Sequence, residues 1–217
     1  LQTQNNGKTY RLKFEWSDRN KAYVNHVYDL FNEWVISPPH PCPCPHSQGR
    51  GKGKKVRTSP KGNLVCNLGF QTISHQAFNP LAPRPAPGPG ARAKLFIYEN
   101  KKSIKESLIK NHLTERGLAY WFMDDGGKLD YNKNSKNKSI VLNTQSFLDS
   151  EVNQMAKELA NKFNLSCEVR SNKLKKVIVI KSESYTKIRT LIDPYIVPEM
   201  SYKLPAFGPS DRKVFVL

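Results

Sequence analysis

Three things are scarce in this chain. No apolar run approaches the ~20 residues that a membrane-spanning helix needs, and no charged, apolar and small-residue leader opens it. Cysteine is thin: Cys42, Cys44, Cys66 and Cys167 are the four in 217 residues. That is too few for a disulfide framework at this size, so the chain reads as a soluble protein of a reducing compartment. Acids are outnumbered, with 18 Asp and Glu against 35 Lys and Arg, a formal charge of +17 and a pI near 9.8. A polyanionic partner is expected, nucleic acid first and an anionic membrane surface second. The first residue is Leu1 rather than methionine, from which a missing upstream segment is expected.

What is present is patterned. From Thr9 to Trp16 the residues alternate, with Tyr10, Leu12, Phe14 and Trp16 on one face and Thr9, Arg11, Lys13 and Glu15 on the other. That predicts a half-buried strand with a mostly basic outer face. Tyr23, Val27, Leu30, Phe31 and Trp34 then recur at helical spacing, predicting an amphipathic helix over residues 20–35. The same order returns later, as a strand over Lys138–Phe147 and a stripe of Val152, Ala156, Leu159 and Phe163 behind Asp149 or Ser150 as cap. The two stripes lie 129 residues apart, Tyr23 to Val152 and Val27 to Ala156. Further strands are predicted at Leu64–Phe70 and Leu174–Lys181, each followed by a segment able to form a helix. Strand, helix, strand, helix in both halves is an internal duplication.

Two Pro-rich stretches interrupt the first half, at about 40–61 and 83–93, the second reading PRPAPGPGARA. Neither can bury a core, and both read as surface inserts. Removing them shortens the offset between the halves toward the 101 residues that separate Lys102 from Lys203, which pairs these two lysines. The organisation predicted is an N-terminal half over 1–113, a C-terminal half over 114–205 and a tail over 206–217.

One decapeptide is unusual: LAYWFMDDGG, residues 118–127. A helix over about Glu115–Asp124, apolar on every face, should be buried all round, yet it ends on Asp124 and Asp125. Carboxylates are disfavoured there, because the free carbonyls and the dipole make a helix C-terminus negative. A bound divalent cation reverses the sign, since two carboxylates and free carbonyls make a hard oxygen site suited to magnesium. The alternative is an exposed helix end whose acids are merely solvated. Gly126 is expected in the left-handed conformation that closes a helix, and Gly127 to permit close packing. In the first half only seven residues precede Lys8, against 24 from Thr114 to Asn137. By the duplication, a partner for Asp125 is expected about five residues upstream of Leu1. A metal site beside a polyanion suggests phosphodiester hydrolysis.

LAYWFMDDGG resembles the second acidic motif of the LAGLIDADG homing endonucleases. KTYRLKFEWSDRNKAYVNHV, NEWVISPPH, GNLVCNLGFQTISHQAFN, KLDYNKNSKNKSIVLNTQSF and SYKLP extend the resemblance over nearly the whole chain apart from the inserts and the end. It implies an α/β (α+β) fold of two pseudo-symmetric αββαββα halves, with two motif helices packed centrally and two sheets along the DNA major groove. The first motif helix is absent from these residues. It implies a monomer in a mitochondrion or chloroplast, cutting double-stranded DNA at a long asymmetric site with Mg2+, for which Mn2+ can substitute. Asp125 is then the metal-binding acid with Asp124 beside it, and Lys102 and Lys203 are the basic residues near the scissile phosphates. DNA-contact candidates are Lys13, Lys128, Lys133, Lys136 and Lys138, lysines being suited to phosphates, and Arg11, Asp130, Asn132 and Asn172 toward base edges. The rival reading is a binding protein without cleavage, such as a maturase acting on intron RNA.

Other signals carry less. HPCPCPH, His40 to His46, holds four zinc-ligand types, but its i, i+2 spacing does not fit a C-x2-C knuckle, so a surface insert is expected. Ser103 and Glu106 read as a capping box. His26, His75 and His112 read as packing or surface residues, and Tyr120, Trp121 and Phe122 as interface packing.

Overall fold

A computed structural model describes residues 2–4, 8–41, 66–81, 97–98, 101–132 and 135–206. Most of both inserts, Cys42 to His46, Lys133 and the tail after Ala206 lie outside the described residues. The chain divides into two compact units, Leu1–Arg84 and Pro85–Leu217, whereas the sequence pattern places its boundary after residue 113. Residues 103–110 go with the second unit because two glutamates at 151 and 158 hydrogen-bond to them.

In the first unit, β1 (Gln2–Gln4) pairs with β2 (Thr9–Arg11), and β3 (Lys13–Ser17) pairs with β5 (Asn67–Gln71), which also carries the short β4 (His40–Pro41); all pairs are antiparallel. The expected strand is broken at Leu12, whose N–H donates to Thr72 Oγ1 at 3.0 Å and whose carbonyl accepts from Thr72 N at 3.0 Å. The alternation survives the break, with Tyr10 buried and Lys13 and Glu15 exposed. Helix α1 (Lys21–Leu30) is shorter than expected, because Phe31 ends it and Asn32–Trp34 tightens into a 3-10 turn. Aromatic rings do much of the packing here: Phe14 lies 5.0 Å from both Phe31 and Phe70, and Trp16 5.3 Å from Tyr23. Large rings bury much apolar area per residue, which suits a small sheet.

The second unit begins with a ladder of β6 (Ile97–Tyr98) and β7 (Lys101–Lys102). Then come α2 (Leu108–His112), α3 (Glu115–Asp125), β8 (Gly126–Lys128), β9 (Ile140–Leu142), α4 (Asp149–Phe163), β10 (Cys167–Asn172), β11 (Lys175–Ile180) and α5 (Tyr185–Ile192). From α3 to α5 the order is αββαββα, as the family resemblance implies; the residue pattern alone expects β9 and β11 but not β8 or β10. The antiparallel sheet runs β10-β11-β9-β8. In the first unit the pairings run β4-β5-β3, with the same strand continuing as β2 onto β1. The duplication is therefore visible in topology as well as in spacing.

The core of this unit forms where Val152, Met155, Ala156, Leu159 and Phe163, one stripe of α4, meet Ile140, Leu142, Ile178 and Ile180 of the sheet. Each of these side chains other than Ala156 contributes about 1.5–3 kcal/mol when fully buried. The cap of α4 is Leu148 rather than Asp149 or Ser150: Glu151 reaches back and accepts the Leu148 N–H at 2.9 Å, leaving Asp149 in the first turn where the dipole favours an acid. Asn164, at φ 51°, ends the helix in the left-handed conformation. Ser103 and Glu106 do not form a capping box, because α2 starts only at Leu108 and Ser103 Oγ donates instead to Glu151 Oε1 at 2.7 Å.

Candidate functional site

Helix α3 starts at Thr114, whose Oγ1 accepts the Gly117 N–H at 3.1 Å, with Glu115 in the positive first turn. Leu118, Ala119, Phe122 and Met123 are buried, while Tyr120 and Trp121 are only half-buried. The helix is thus buried on one face, not on every face as its sequence suggests. Asp124 and Asp125 end it in exposed positions. Gly126 is not left-handed: at φ −97° and ψ 168° it enters β8 directly and pairs with Leu142. Glycine is needed there because a Cβ would run into the Phe122 ring and into the Phe122 backbone. Gly127 permits close packing as expected, with the Tyr131 hydroxyl where its Cβ would be.

What makes the acid-ended helix tolerable is Lys203. It closes a 3-10 turn, Pro198–Lys203, and its Nζ donates to the Met123 carbonyl and, at 3.2 Å, to the Asp124 carbonyl. A cation on the last carbonyls of a helix satisfies orphan acceptors and complements the dipole. Partial burial depresses the Lys203 pKa, the nearby Asp124 and Asp125 charges push it back up, and burial wins. Lys203 is therefore in direct contact with the acid-ended helix. Lys102 lies on β7, opposite Ile97, and its side chain lies outside the described residues.

The far side of the acid end is fixed by β9: the Asp125 carbonyl accepts the Asn143 N–H at 2.8 Å. Asn143 also lines a polar groove of about 470 Å³ over the sheet, together with Lys128, Tyr131, Arg170 and Asn172. Two of the DNA-contact candidates, Lys128 and Asn172, thus share one surface. Asn143 and Arg170 belong to the same surface and are absent from the sequence-based set. The alternation of Glu168, Arg170 and Asn172 along one strand was the signal available for Arg170.

The remaining candidates have other surroundings. Asp130 accepts the Asn132 N–H at 2.9 Å in a tight turn, and the Ser135 side chain and that N–H hold its carboxyl below the ordinary range. Lys138 is not brought to the groove; its ammonium donates to the Ala206 carbonyl and stands 5.6 Å from the Tyr185 ring centre. Lys136 is exposed. In the first unit Arg11 Nε donates to Gln2 Oε1 at 2.9 Å, and the exposed Lys13 pairs with Glu15 at 2.7 Å. Of HPCPCPH only His40 and Pro41 are described, as β4.

Among the described residues no three His, Cys, Asp or Glu side chains stand together as a ready metal cage. Because the Met123 and Asp124 carbonyls accept from Lys203 and the Asp125 carbonyl from Asn143, the donor set at the end of α3 is two exposed carboxylates. That suits a hard ion such as magnesium, which commonly takes one or two carboxylates and fills its shell with water and phosphate oxygens.

A family model described as the LAGLIDADG DNA endonuclease family matches residues 1–188. "Probable intron-encoded endonuclease 1" of Wickerhamomyces canadensis is 43% identical over 197 residues, covering 91% of this chain and 74% of that protein. The solved structure of the homing endonuclease I-WcaI bound to its DNA recognition sequence is similar, with a TM-score of 0.77 and 40% identity over 96% of this chain and 80% of that one. The cytochrome b mRNA maturase bI2 of Saccharomyces cerevisiae is 32% identical over 158 residues, 69% of this chain and 33% of that protein.

Proposed function

Because the chain belongs to the LAGLIDADG DNA endonuclease family, we propose that it is a site-specific double-strand DNA endonuclease acting in intron homing. Its target is a long asymmetric duplex, and it works as a monomer inside a mitochondrion or chloroplast. The observation that carries this reading is the exposed Asp124–Asp125 end of α3, with Lys203 seated on the carbonyls of the same helix end.

Each residue then has a task. Asp125, with Asp124 beside it, holds a magnesium or manganese ion, which supplies Lewis-acid polarisation of the scissile phosphate. Lys203 places a positive charge at the acid end, where negative charge grows as the phosphate is attacked. Its depressed pKa also lets it give up its proton more readily than an ordinary lysine. Lys102 is its counterpart by the duplication. Lys128, with Arg11 and Lys13 in the first unit, neutralises phosphates, which carry affinity but no sequence information. Asn143, Arg170 and Asn172 are suited to base edges, since Asn and Arg read adenine and guanine by paired hydrogen bonds.

A supercoiled plasmid pool carrying randomised inserts tests the reading. With Mg2+ the full protein should linearise a subset sharing one long motif, and both chelation and Asp125→Asn should stop it. Selective binding of duplex with no cut under any metal would overturn it. Binding that prefers a structured intron RNA over every duplex would favour the maturase reading, which the similarity to bI2 alone supports.

A further inference from the structure

The groove ends at a turn that the proposed function leaves unused. The register pairs Asn172 with Lys175, so Lys173 and Leu174 are the two central residues of the β10–β11 hairpin turn. Both have positive φ, 47° and 65°. The type I′ form of a two-residue hairpin turn demands this, and Asn-Gly is its usual occupant. Leu174 is the wrong residue for the turn on two counts. Leucine is disfavoured in the left-handed region, and its side chain is 100% exposed to water.

The surroundings point to a ligand. Lys173, Lys175 and Lys176 flank the leucine, and Lys176 Nζ is drawn to Ser171 Oγ at 2.8 Å. The nearest acid along the hairpin, Glu168, is engaged by Arg170 and lies 3.9 Å from Lys181. The tip thus offers one apolar group inside a ring of positive charge. The DNA major groove, about 12 Å wide, admits a two-stranded ribbon. In the major groove the apolar feature on a base edge is the 5-methyl of thymine.

We propose that the β10–β11 turn is a base-reading tip, in which Leu174 packs on a thymine 5-methyl while Lys173 and Lys175 neutralise the flanking phosphates. The assignment rests on the DNA reading above. It adds a specificity-determining residue of apolar type to the polar groove behind it.

Deoxyuridine isolates the methyl. The full wild-type protein first selects a duplex from a randomised pool, and each thymine of that duplex is then replaced singly by deoxyuridine. Wild type should lose affinity on the order of fivefold at one or two neighbouring positions, a modest share of a mismatch effect. Leu174→Gly and Leu174→Asn should bind the thymine and deoxyuridine duplexes alike at those positions, which is a mutant cycle on one methyl group. Both variants should also melt a few degrees higher, because glycine and asparagine suit the turn. A deoxyuridine profile that is the same for wild type and Leu174→Gly would overturn the tip while leaving the DNA reading intact. Failure of wild type to select any duplex would overturn both.

Discussion

Two pairs of acids in the second unit stand in opposite settings. Glu151 and Glu158, seven residues apart on α4, are acceptors for main-chain donors. Glu151 takes Ser103 Oγ–H at 2.7 Å, Ile104 N–H at 3.1 Å and Leu148 N–H at 2.9 Å. Glu158 takes Ser107 N–H at 2.7 Å, Lys110 N–H at 3.1 Å and Gln154 Nε2–H at 2.8 Å. Partial burial alone would raise both pKa values, but these donors outweigh it and hold both carboxyls below the ordinary glutamate value. Asp124 and Asp125 sit where the helix itself presents carbonyls, and Lys203 offsets the resulting negative potential. An acid facing N–H groups stabilises the fold; an acid facing carbonyls is placed at a cost, which Lys203 offsets here.

Charge removal should separate the pairs most sharply. Asp125→Asn keeps shape and hydrogen-bonding capacity, so the melting temperature should stay within about two degrees of wild type while cleavage falls at least about 100-fold. Duplex affinity should change only a few-fold, because Arg11, Lys13 and Lys128, the residues proposed to neutralise phosphates, are unaltered. Equal losses of stability and cleavage would place Asp125 with the glutamates and break the distinction. The next largest effect concerns the backbone beneath the acids. Gly126→Ala puts a methyl group against the Phe122 ring and main chain. Crowding of that kind costs about 1–3 kcal/mol, read as a lower urea midpoint at constant slope.

How legible these arrangements were in the sequence depends on their range. The stripe Val152–Phe163 and the acid-ended helix are local patterns, and both elements appear with ends displaced by about a residue. Gly126 misled because a glycine after a helix usually closes it left-handed, whereas here β8 starts at once and fixes an extended backbone. Lys203 lies 80 residues from Met123, and nothing local reveals its seat on that carbonyl; the duplication pairs it with Lys102 and the family resemblance sets it near the scissile phosphates, but neither places it on α3. For Lys138 the basic run alone does not reveal that its ammonium donates to the Ala206 carbonyl and stands by the Tyr185 ring. The links from Glu151 and Glu158 to residues 103–110 span about fifty positions, so no window of sequence contains them.

Single substitutions on α4 should give a smaller and purely structural effect. Glu158→Gln leaves one carbonyl oxygen for three donors and should cost about 1–2 kcal/mol, with cleavage per folded molecule unchanged. Loss of cleavage beyond the loss of folded protein would tie α4 to the chemistry and blur the contrast.

The smallest effects are in the pH dependence of stability, and they run in opposite directions. A carboxyl whose folded pKa is depressed stabilises fully above its unfolded pKa and loses that contribution as pH falls through the folded value. For Glu151 and Glu158 the ordinary value is 4.5, so melting temperature should drop as pH is lowered through and below that point. A Glu151→Gln, Glu158→Gln double variant should start lower at neutral pH and fall less steeply in the same window. Lys203 has the other sign. Its folded pKa lies below the ordinary 10.5, so the folded state gives up this proton first, and its contribution to stability should rise as pH climbs toward 10.5. Lys203→Met should remove that alkaline rise and leave the acid limb alone. An unchanged alkaline limb in Lys203→Met would mean that the ammonium on the α3 carbonyls is not held out of water, and the contrast between the two acid pairs would lose its cation.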